Sequence, residues 1–237
     1  MNVLRSIVFI VWIYGSMTVI GVTFAPLAVF SEKGAIQAAR TWAAALIWGA
    51  RALCGIKLEV RGREHIPRGP ALVAAKHQSM MDTIIPFAIL QNPSVVLKRE
   101  LLKLPIFGWF AQRAGMIVVN REAHAAALRA MLRDARDRAA KNREIFIFPE
   151  GTRQAPGAPP DYKSGVAALY RDLKLPCTPV ALNIGQVWPA HGLVRRPGVA
   201  VIEFLPAITP GLSREEFMAE LEARIETAST ALLEKPR

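Results

Sequence analysis

Residues 71–82 have the sequence ALVAAKHQSMMD, and this stretch decides the predicted fold. The first five residues are an apolar run without Gly or Pro, which predicts a buried strand. Polar residues then follow, and no ionisable residue occurs from Thr83 to Ser94. A histidine and a carboxylate, His77 and Asp82, therefore lie at a corner between two segments that we expect to be buried.

The spacing of His77 and Asp82 restricts where the two side chains can meet. An ideal helix turns about 100° per residue, so positions five apart do not share a face. Contact requires His77 to lie in the turn before a helix and Asp82 to lie in that helix's first turn. Ser79 and Asp82 form a capping-box pattern, which predicts a helix from Ser79 to Leu90. The spacing alone favours an Asp82 that only caps the helix beside an ordinary loop histidine, because capping boxes are common.

If the two side chains touch, they can support base catalysis. A carboxylate that holds one imidazole nitrogen fixes the tautomer of the ring. The other nitrogen can then take a proton from a hydroxyl group.

Strand and helix signals alternate along residues 57–237 and predict a single α/β domain. We expect a mostly parallel or mixed sheet flanked by helices. The predicted strands are Lys57–Arg61, Ala71–Ala75, Val95–Leu97, Met116–Val119, Ile145–Phe148, Thr178–Leu182 and Val199–Leu205. Further helices are predicted at Glu122–Lys141 and Lys163–Lys174, and a capping box at Ser213 opens a C-terminal helix.

Residues 1–56 differ in composition and predict an N-terminal membrane anchor of two helices. The run from Ser6 to Phe30 has no charged residue and would reach about 37 Å as a helix, more than the ~30 Å bilayer core. Ala35–Ile56 is a second helical stretch, whose tryptophans and arginines suit a membrane interface. A signal peptide is the alternative for the first run, although the run is longer than usual. Both a full span and partial insertion fit this composition.

Overall composition bounds the partners. The chain has 237 residues, a formal net charge of +11 at pH 7 and 52% hydrophobic residues. A basic and apolar chain suits an anionic partner and membrane lipids. Nucleic acid is disfavoured, because the sequence has neither a basic stripe interleaved with aromatic residues nor a zinc-finger spacing. Cys54 and Cys177 fit no ligand spacing, so we expect reduced thiols and no metal site.

The sequence LLKLPIFGWF, at residues 101–110, is unusually apolar and aromatic. One interpretation is a core segment. The other is an exposed patch that faces the bilayer or an acyl chain.

Two further clusters follow predicted strands. The first is GMIVVNR at residues 115–121, which ends in Arg121, and the second is FPEGTR at residues 148–153, which ends in Arg153. Active sites of open α/β sheets tend to lie at the carboxyl ends of strands, so both clusters can share a site with His77. Together they offer a base, two arginines for a phosphate and a glycine that permits close backbone approach.

The chain resembles the glycerolipid acyltransferase family, and above all its members that acylate lysophosphatidate. Residues 77–82 match the family's H-x4-D signature, and residues 115–121 resemble its second block. Residues 148–153 match its FPEGTR block, and PVALN at residues 179–183 resembles its fourth block. The H-x4-D signature alone is unspecific, but four blocks in the family's order over residues 76–183 are a strong signal.

The resemblance implies a reaction and residue roles. His77 would be the general base, oriented by Asp82, and would take the proton from the 2-hydroxyl of 1-acyl-glycerol 3-phosphate (lysophosphatidic acid). That hydroxyl would attack an acyl thioester, either acyl-CoA or acyl-ACP (acyl carrier protein), and form phosphatidic acid for phospholipid biosynthesis. No cofactor is expected beyond this co-substrate. The implied substrate-binding residues, whose arginines would hold the phosphate, are Arg121, Glu150, Gly151, Thr152 and Arg153.

The resemblance and the anchor together imply a protein of the cell (inner) membrane with its catalytic domain on the cytoplasmic face, where acyl thioesters are found. Two positions depart from the family pattern. Lys76 stands where many members have Asn, and would add a cation near the phosphate or point to solvent. Asn120 stands where the family often has an acidic residue, so we expect no charged role there.

Other functions compete with this one. An acyltransferase of the same family could use another acceptor, such as glycerol 3-phosphate, another lysophospholipid or a lyso-aminolipid. A non-catalytic membrane protein that binds anionic lipids would be expected to lose His77 or Asp82, and both are present. A membrane-bound thioesterase would leave Arg121 and Arg153 unexplained.

Overall fold

The computed structural model describes residues 1–120 and 123–234, and its strands in those residues form one seven-stranded sheet. They are β1 (Ile56–Arg61), β2 (Ala71–Ala75), β3 (Pro93–Lys98), β4 (Ile117–Val119), β5 (Glu144–Ile147), β6 (Cys177–Leu182) and β7 (Gly198–Phe204). The spatial order is β1-β7-β6-β2-β5-β3-β4. Neighbours pair in parallel except for β6 and β7, which are antiparallel. The predicted mixed α/β sheet is therefore confirmed.

Helices cover both faces of the sheet. They are α1 (Asn2–Phe30), α2 (Glu32–Cys54), α3 (Ile85–Ile89), α4 (Pro105–Arg113), α5 (His124–Ala140), α6 (Gly165–Leu173) and α7 (Arg214–Glu234). Apolar side chains of α1 to α4 form one hydrophobic cluster with the sheet, and those of α5 to α7 form a second. The sheet thus separates two helical layers.

Alternate side chains of β2 pack against the two helical layers. Leu72 and Ala74 pack in the cluster of α5 to α7, whereas Val73 and Ala75 pack in the cluster of α1 to α4. Successive strand residues point to opposite faces, and here both faces are covered by helices. All five residues of β2 are consequently buried, and each large apolar side chain contributes roughly 1.5–3 kcal/mol on burial.

α1 and α2 form an antiparallel helical hairpin joined at Ser31. The Ser31 hydroxyl accepts the backbone N–H of Gly34 at 3.3 Å and caps α2. The Trp12 indole N–H donates to the Ala45 carbonyl at 2.9 Å and packs directly over Gly49. A Cβ at Gly49 would lie 2.3 Å from the Trp12 ring, so the close approach of the two helices requires glycine there.

The hairpin is attached to the α/β domain by a shared core and by two arginines. Trp42, Leu46 and other α2 side chains belong to the same hydrophobic cluster as the sheet. Arg113 of α4 donates from Nε to the Ala28 carbonyl at 2.9 Å, near the end of α1. Arg143 forms an ion pair with Glu32 at the start of α2. The predicted helices of residues 1–56 are confirmed, while their separation as a domain at residue 56 stays a prediction.

α1 is long and apolar enough to cross a membrane, and 17% of its most apolar window is buried. Its exposed apolar residues include Leu4, Val11, Val19, Val22, Leu27 and Phe30. Apolar surface of this extent is rarely left to water in soluble domains. The helix therefore fits contact with lipid.

The apolar stretch at residues 101–110 combines both predicted interpretations. Its first part is a 3₁₀ helix, Arg99–Lys103, and its second part begins α4. Ile106, Phe107 and Phe110 line an internal cavity, whereas Trp109 is partly exposed beside them.

At the other end of the chain, the predicted capping box is confirmed, because Ser213 and Glu216 exchange hydrogen bonds at 2.9 and 3.2 Å.

Candidate active site

The corner after β2 sends consecutive side chains to opposite sides of the sheet. Lys76 continues the alternation of Leu72 and Ala74 and points toward α7, where it meets Glu226. His77 continues the alternation of Val73 and Ala75 and lines the cavity on the α1 to α4 side. The strand period of two therefore places the histidine and the lysine on different faces.

His77 and Asp82 meet as the spacing required. Asp82 Oδ2 lies 3.1 Å from His77 Nδ1 and also accepts the backbone N–H groups of Gln78 and Ser79 at 2.6 and 2.7 Å. Asp82 is fully buried and His77 is 8% exposed. The carboxylate thus fixes both the ring and the backbone that carries it, and Nε2 is left toward the cavity.

The predicted continuous helix from Ser79 to Leu90 is wrong. The chain forms a short 3₁₀ helix, Met81–Thr83, and then α3. Pro86 lies near the start of α3, and a longer helix would place its ring against the carbonyl of Asp82. The capping pattern survives in part, because Asp82 accepts the Ser79 N–H while the Ser79 hydroxyl accepts the Met81 N–H at 3.2 Å.

The FPEGTR segment encloses His77 from the next strand, β5. The Phe148 ring stacks on the imidazole with 3.9 Å between centroids and an interplanar angle of 20°. The His77 carbonyl accepts the Gln154 N–H at 2.8 Å. Gly151 has a φ of +65°, a left-handed conformation that favours glycine and turns the chain toward the cavity.

Glu150 lies behind the histidine, apart from the cavity lining. Its Oε2 accepts the His77 backbone N–H at 2.7 Å, and its Oε1 lies 3.0 Å from Lys76 Nζ. Burial raises the pKa of Glu150, while the adjacent Lys76 ammonium opposes that shift. The described contacts of Glu150 are thus with His77 and Lys76, and its predicted role in substrate binding stays a prediction.

Lys76 follows neither predicted alternative. It is 1% exposed and pairs with Glu150 and Glu226, so it neither points to solvent nor enters the cavity. Strand alternation from Ala71 would have placed it opposite to His77. Its partner Glu226 was missed in the sequence, because a carboxylate on a helix face 150 positions away carries no local signal.

A cavity of 1390 Å³ connects His77 to the helical hairpin. Gly151, Thr152 and Arg153 line it near His77. Its far walls are apolar and include Ile13, Met17, Ile20, Trp42, Phe107 and Phe110. Among the described residues, no hydrogen bond or ion pair engages the Arg153 guanidinium. The cavity thus has a cation beside the histidine and an apolar extension.

Of the other two predicted blocks, residues 115–121 contribute to the lining of this cavity, and residues 179–183 do not. Arg121 falls outside the described residues, and Val119 just before it lines the cavity. The block at residues 179–183 covers β6, beside β2, and ends in Asn183. Asn183 Oδ1 accepts the Val201 N–H at 2.8 Å, which joins the antiparallel strand β7 to β6.

Comparison with known proteins adds the family. A family model described as acyltransferase matches residues 57–183. The chain is 35% identical over 187 residues to the 1-acyl-sn-glycerol-3-phosphate acyltransferase of Pseudomonas aeruginosa, covering 79% of this chain and 73% of that protein. It is 32% identical over 171 residues to the human 1-acyl-sn-glycerol-3-phosphate acyltransferase alpha, covering 70% of this chain and 60% of that protein.

A solved structure shares the whole fold. The crystal structure of the 1-acyl-sn-glycerophosphate (LPA) acyltransferase from Thermotoga maritima covers 100% of both chains with a TM-score of 0.82 and 20% sequence identity. The family model spans more than half of this chain and contains all four sequence blocks. Together with the His77–Asp82 contact beside the cavity, these similarities show that the chain belongs to the acyltransferase family of enzymes.

Proposed function

We propose that this enzyme transfers an acyl group from acyl-CoA or acyl-ACP to the 2-hydroxyl of 1-acyl-glycerol 3-phosphate and so forms phosphatidic acid. The observation that carries the proposal is a cavity that holds His77, Arg153 and an apolar extension together. Those features match an acceptor with a hydroxyl, a phosphate and an acyl chain. The names of the relatives support the same acceptor.

In this proposal His77 is the general base. Asp82 holds Nδ1, so Nε2 is the nitrogen that takes the proton from the acceptor hydroxyl. The hydroxyl oxygen attacks the thioester carbonyl and a tetrahedral oxyanion forms. Its collapse breaks the C–S bond, and the leaving thiolate takes the proton back from the imidazolium. The reaction as proposed needs no cofactor beyond the thioester.

Arg153 is the proposed phosphate ligand in the described part of the chain. It is exposed, lines the cavity and has no competing carboxylate among the described residues. A guanidinium presents paired N–H donors that suit phosphate oxygens. The backbone of Gly151 and Thr152 lies beside the same opening, and Arg121 stays a predicted second ligand.

The acyl chains are proposed to lie in the extension between α1, α2 and α4. At 1390 Å³ the cavity exceeds the ~300–1,000 Å³ typical of small-ligand sites, which suits an acceptor and a donor with long chains. One side of α1 lines this cavity, and its other side is exposed and apolar. We therefore propose that residues 1–56 hold the catalytic domain of residues 57–237 on the cytoplasmic face of the inner membrane.

Parallel acyl-transfer assays test the acceptor. Purified protein in mixed micelles receives radiolabelled oleoyl-CoA, or oleoyl-ACP, with lysophosphatidate, monoacylglycerol, glycerol 3-phosphate or lysophosphatidylcholine. We expect product with lysophosphatidate and its loss in His77→Ala. Product with only another acceptor would replace the proposed substrate, and no product with either donor would favour a non-catalytic lipid-binding protein.

The phosphate assignment has its own test in Arg153→Ala. Charge-assisted hydrogen bonds contribute about 1.5–3 kcal/mol, so KM for lysophosphatidate should rise roughly 10- to 100-fold. The KM for the thioester should change little. Arg129→Ala is the matched control, because Arg129 is exposed on α5 outside the cavity lining. Equal KM values for lysophosphatidate in both variants would remove Arg153 from the phosphate site.

A further inference from the structure

A buried charge network lies behind His77, among residues that do not line the cavity. Lys76 Nζ lies 2.7 and 2.8 Å from the two carboxylate oxygens of Glu226 on α7, and 3.0 Å from Glu150 Oε1. The Lys76 and Glu150 side chains are 2% and 0% exposed, and that of Glu226 is 24% exposed. Two carboxylates therefore share one ammonium ion, and the network reaches solvent at Glu226.

Tyr162 completes the network from the segment before α6. Its hydroxyl donates to Glu226 Oε1 at 2.8 Å. Burial and the neighbouring carboxylates raise the pKa of Tyr162, which keeps the hydroxyl protonated as a donor. The next residue, Lys163, donates its backbone N–H to the Pro149 carbonyl at 2.9 Å. The tyrosine thus links Glu226 to the segment that contains Glu150.

One covalent link and one hydrogen bond connect this network to the histidine. Lys76 is the residue before His77, and Glu150 accepts the His77 backbone N–H at 2.7 Å. A displacement of Glu226 would move Lys76, and through it Glu150, so both supports of the His77 backbone would shift. Asp82 fixes the ring from the opposite side.

The charges explain why the three residues act together. A buried ion pair costs desolvation that apolar residues of the same volume would avoid, so stability alone gives little reason to retain it. Removing Lys76 would leave Glu150 and Glu226 facing each other without a cation. Removing the Glu226 charge would leave Lys76 with Glu150 alone, and the ammonium would shift toward the strand end.

We propose that Glu226 is a positioning residue for His77 and acts through Lys76 and Glu150. The inference rests on the proposed function of His77 as the base. Helix α7 lies outside residues 57–183, which the family model matches, so this support comes from a part of the chain that the sequence blocks do not include. The base is then held from both faces of the sheet.

The test compares Glu226→Gln with Glu215→Gln in the full chain. Glu215 is exposed in the first turn of α7, so it provides the same chemical change on the same helix. Three quantities are measured: kcat and KM of acyl transfer, and the imidazole ¹⁵N resonances of histidine-labelled protein in micelles, assigned with His77→Gln. In Glu226→Gln we expect kcat to fall about 10-fold, KM to stay within twofold and the His77 resonances to shift. Glu215→Gln should match the wild type in all three.

Rescue separates positioning from a general loss of stability. Lys76→Met should lower kcat about 100-fold, and adding Glu226→Gln should recover at least 10-fold, because it removes one of the two carboxylates left without a cation and with it their mutual repulsion. Should Glu226→Gln not fold, Tyr162→Phe keeps every charge and should still shift the His77 resonances. Unshifted His77 resonances in Glu226→Gln would overturn the proposal. If Glu226→Gln does not fold, unshifted His77 resonances in Tyr162→Phe would overturn it. A wild type that does not acylate lysophosphatidate would overturn the proposed function instead, and the resonances would still decide the role of Glu226.

Discussion

Asp82→Asn is the substitution that most directly tests the chemistry of this site. Asp82 Oδ2 faces His77 Nδ1 at 3.1 Å and accepts two backbone N–H groups at 2.6 and 2.7 Å. Asparagine has nearly the same shape, and its carbonyl oxygen can still accept both backbone N–H groups. What it removes is the negative charge beside the imidazole, which becomes positive when the base takes its proton.

The structure gives different magnitudes for activity and for stability. General base catalysis contributes about 10²- to 10⁴-fold, or roughly 2.7–5.4 kcal/mol of barrier, and we expect kcat to fall by a factor in that range. Three hydrogen bonds to a charged oxygen become bonds to a neutral one, each weaker by about 1 kcal/mol. Because the cost of burying a carboxylate is also relieved, the free energy of unfolding should fall by only about 1–3 kcal/mol.

The assay measures initial rates with oleoyl-CoA and lysophosphatidate, together with urea unfolding of the same preparation. Asp137→Asn is the control, because it makes the same chemical change at an exposed position on α5 that does not line the cavity. It should leave both quantities unchanged. An Asp82→Asn enzyme that keeps more than a tenth of the wild-type kcat, or that loses activity only in proportion to its unfolded fraction, would refute the reasoning.

Three further predictions concern stability. Arg143→Met should lower the free energy of unfolding, measured by urea denaturation, by about 3–5 kcal/mol. Burial lowers the pKa of Arg143, but its ion pair with Glu32 and its hydrogen bonds to the Pro93 and Ala114 carbonyls at 2.7 and 2.8 Å keep it charged. A loss under 1 kcal/mol would show that these contacts contribute little. Gly49→Ala should lower the free energy of unfolding by about 1–3 kcal/mol, because the added Cβ collides with Trp12. Gly15→Ala should not lower it, because an added Cβ there meets nothing within 4 Å. Equal thermal midpoints for the two variants would contradict the packing described for the hairpin. Burial raises the pKa of Glu144 above its ordinary 4.5, so the folded state binds the proton more tightly than the unfolded state. The stability that this group contributes therefore falls as pH rises through 4.5 and above. The free energy of unfolding of the wild type relative to that of Glu144→Gln should decrease from pH 4.5 to pH 7, and an increase would contradict the assigned direction of the pKa shift.

Local patterns in the sequence were enough for most elements of the fold. The apolar run at residues 71–75 is β2 with unchanged bounds, and the capping box at Ser213 begins α7. The predicted helix after Ser79 was wrong because Pro86 stops a continuous helix in this segment. For the site, the spacing of His77 and Asp82 allowed a contact, and the structure shows that contact at 3.1 Å. The roles of base and orienting carboxylate come from the family resemblance and stay a proposal.

The sequence by itself determined the α/β class, the apolar hairpin and the pairing of a histidine with a carboxylate at a strand end. Those features depend on periodicity and short spacings, which act between neighbours in the chain. Only the tertiary structure decided that Lys76 is buried against Glu226, that Glu150 supports the His77 backbone and that α1, α2 and α4 wall the cavity. The contacts of Lys76 with Glu226 and of His77 with Glu150 join residues that are 150 and 73 positions apart. They exist because the sheet brings distant segments together, and no local pattern encodes the partner of a charge that must be buried.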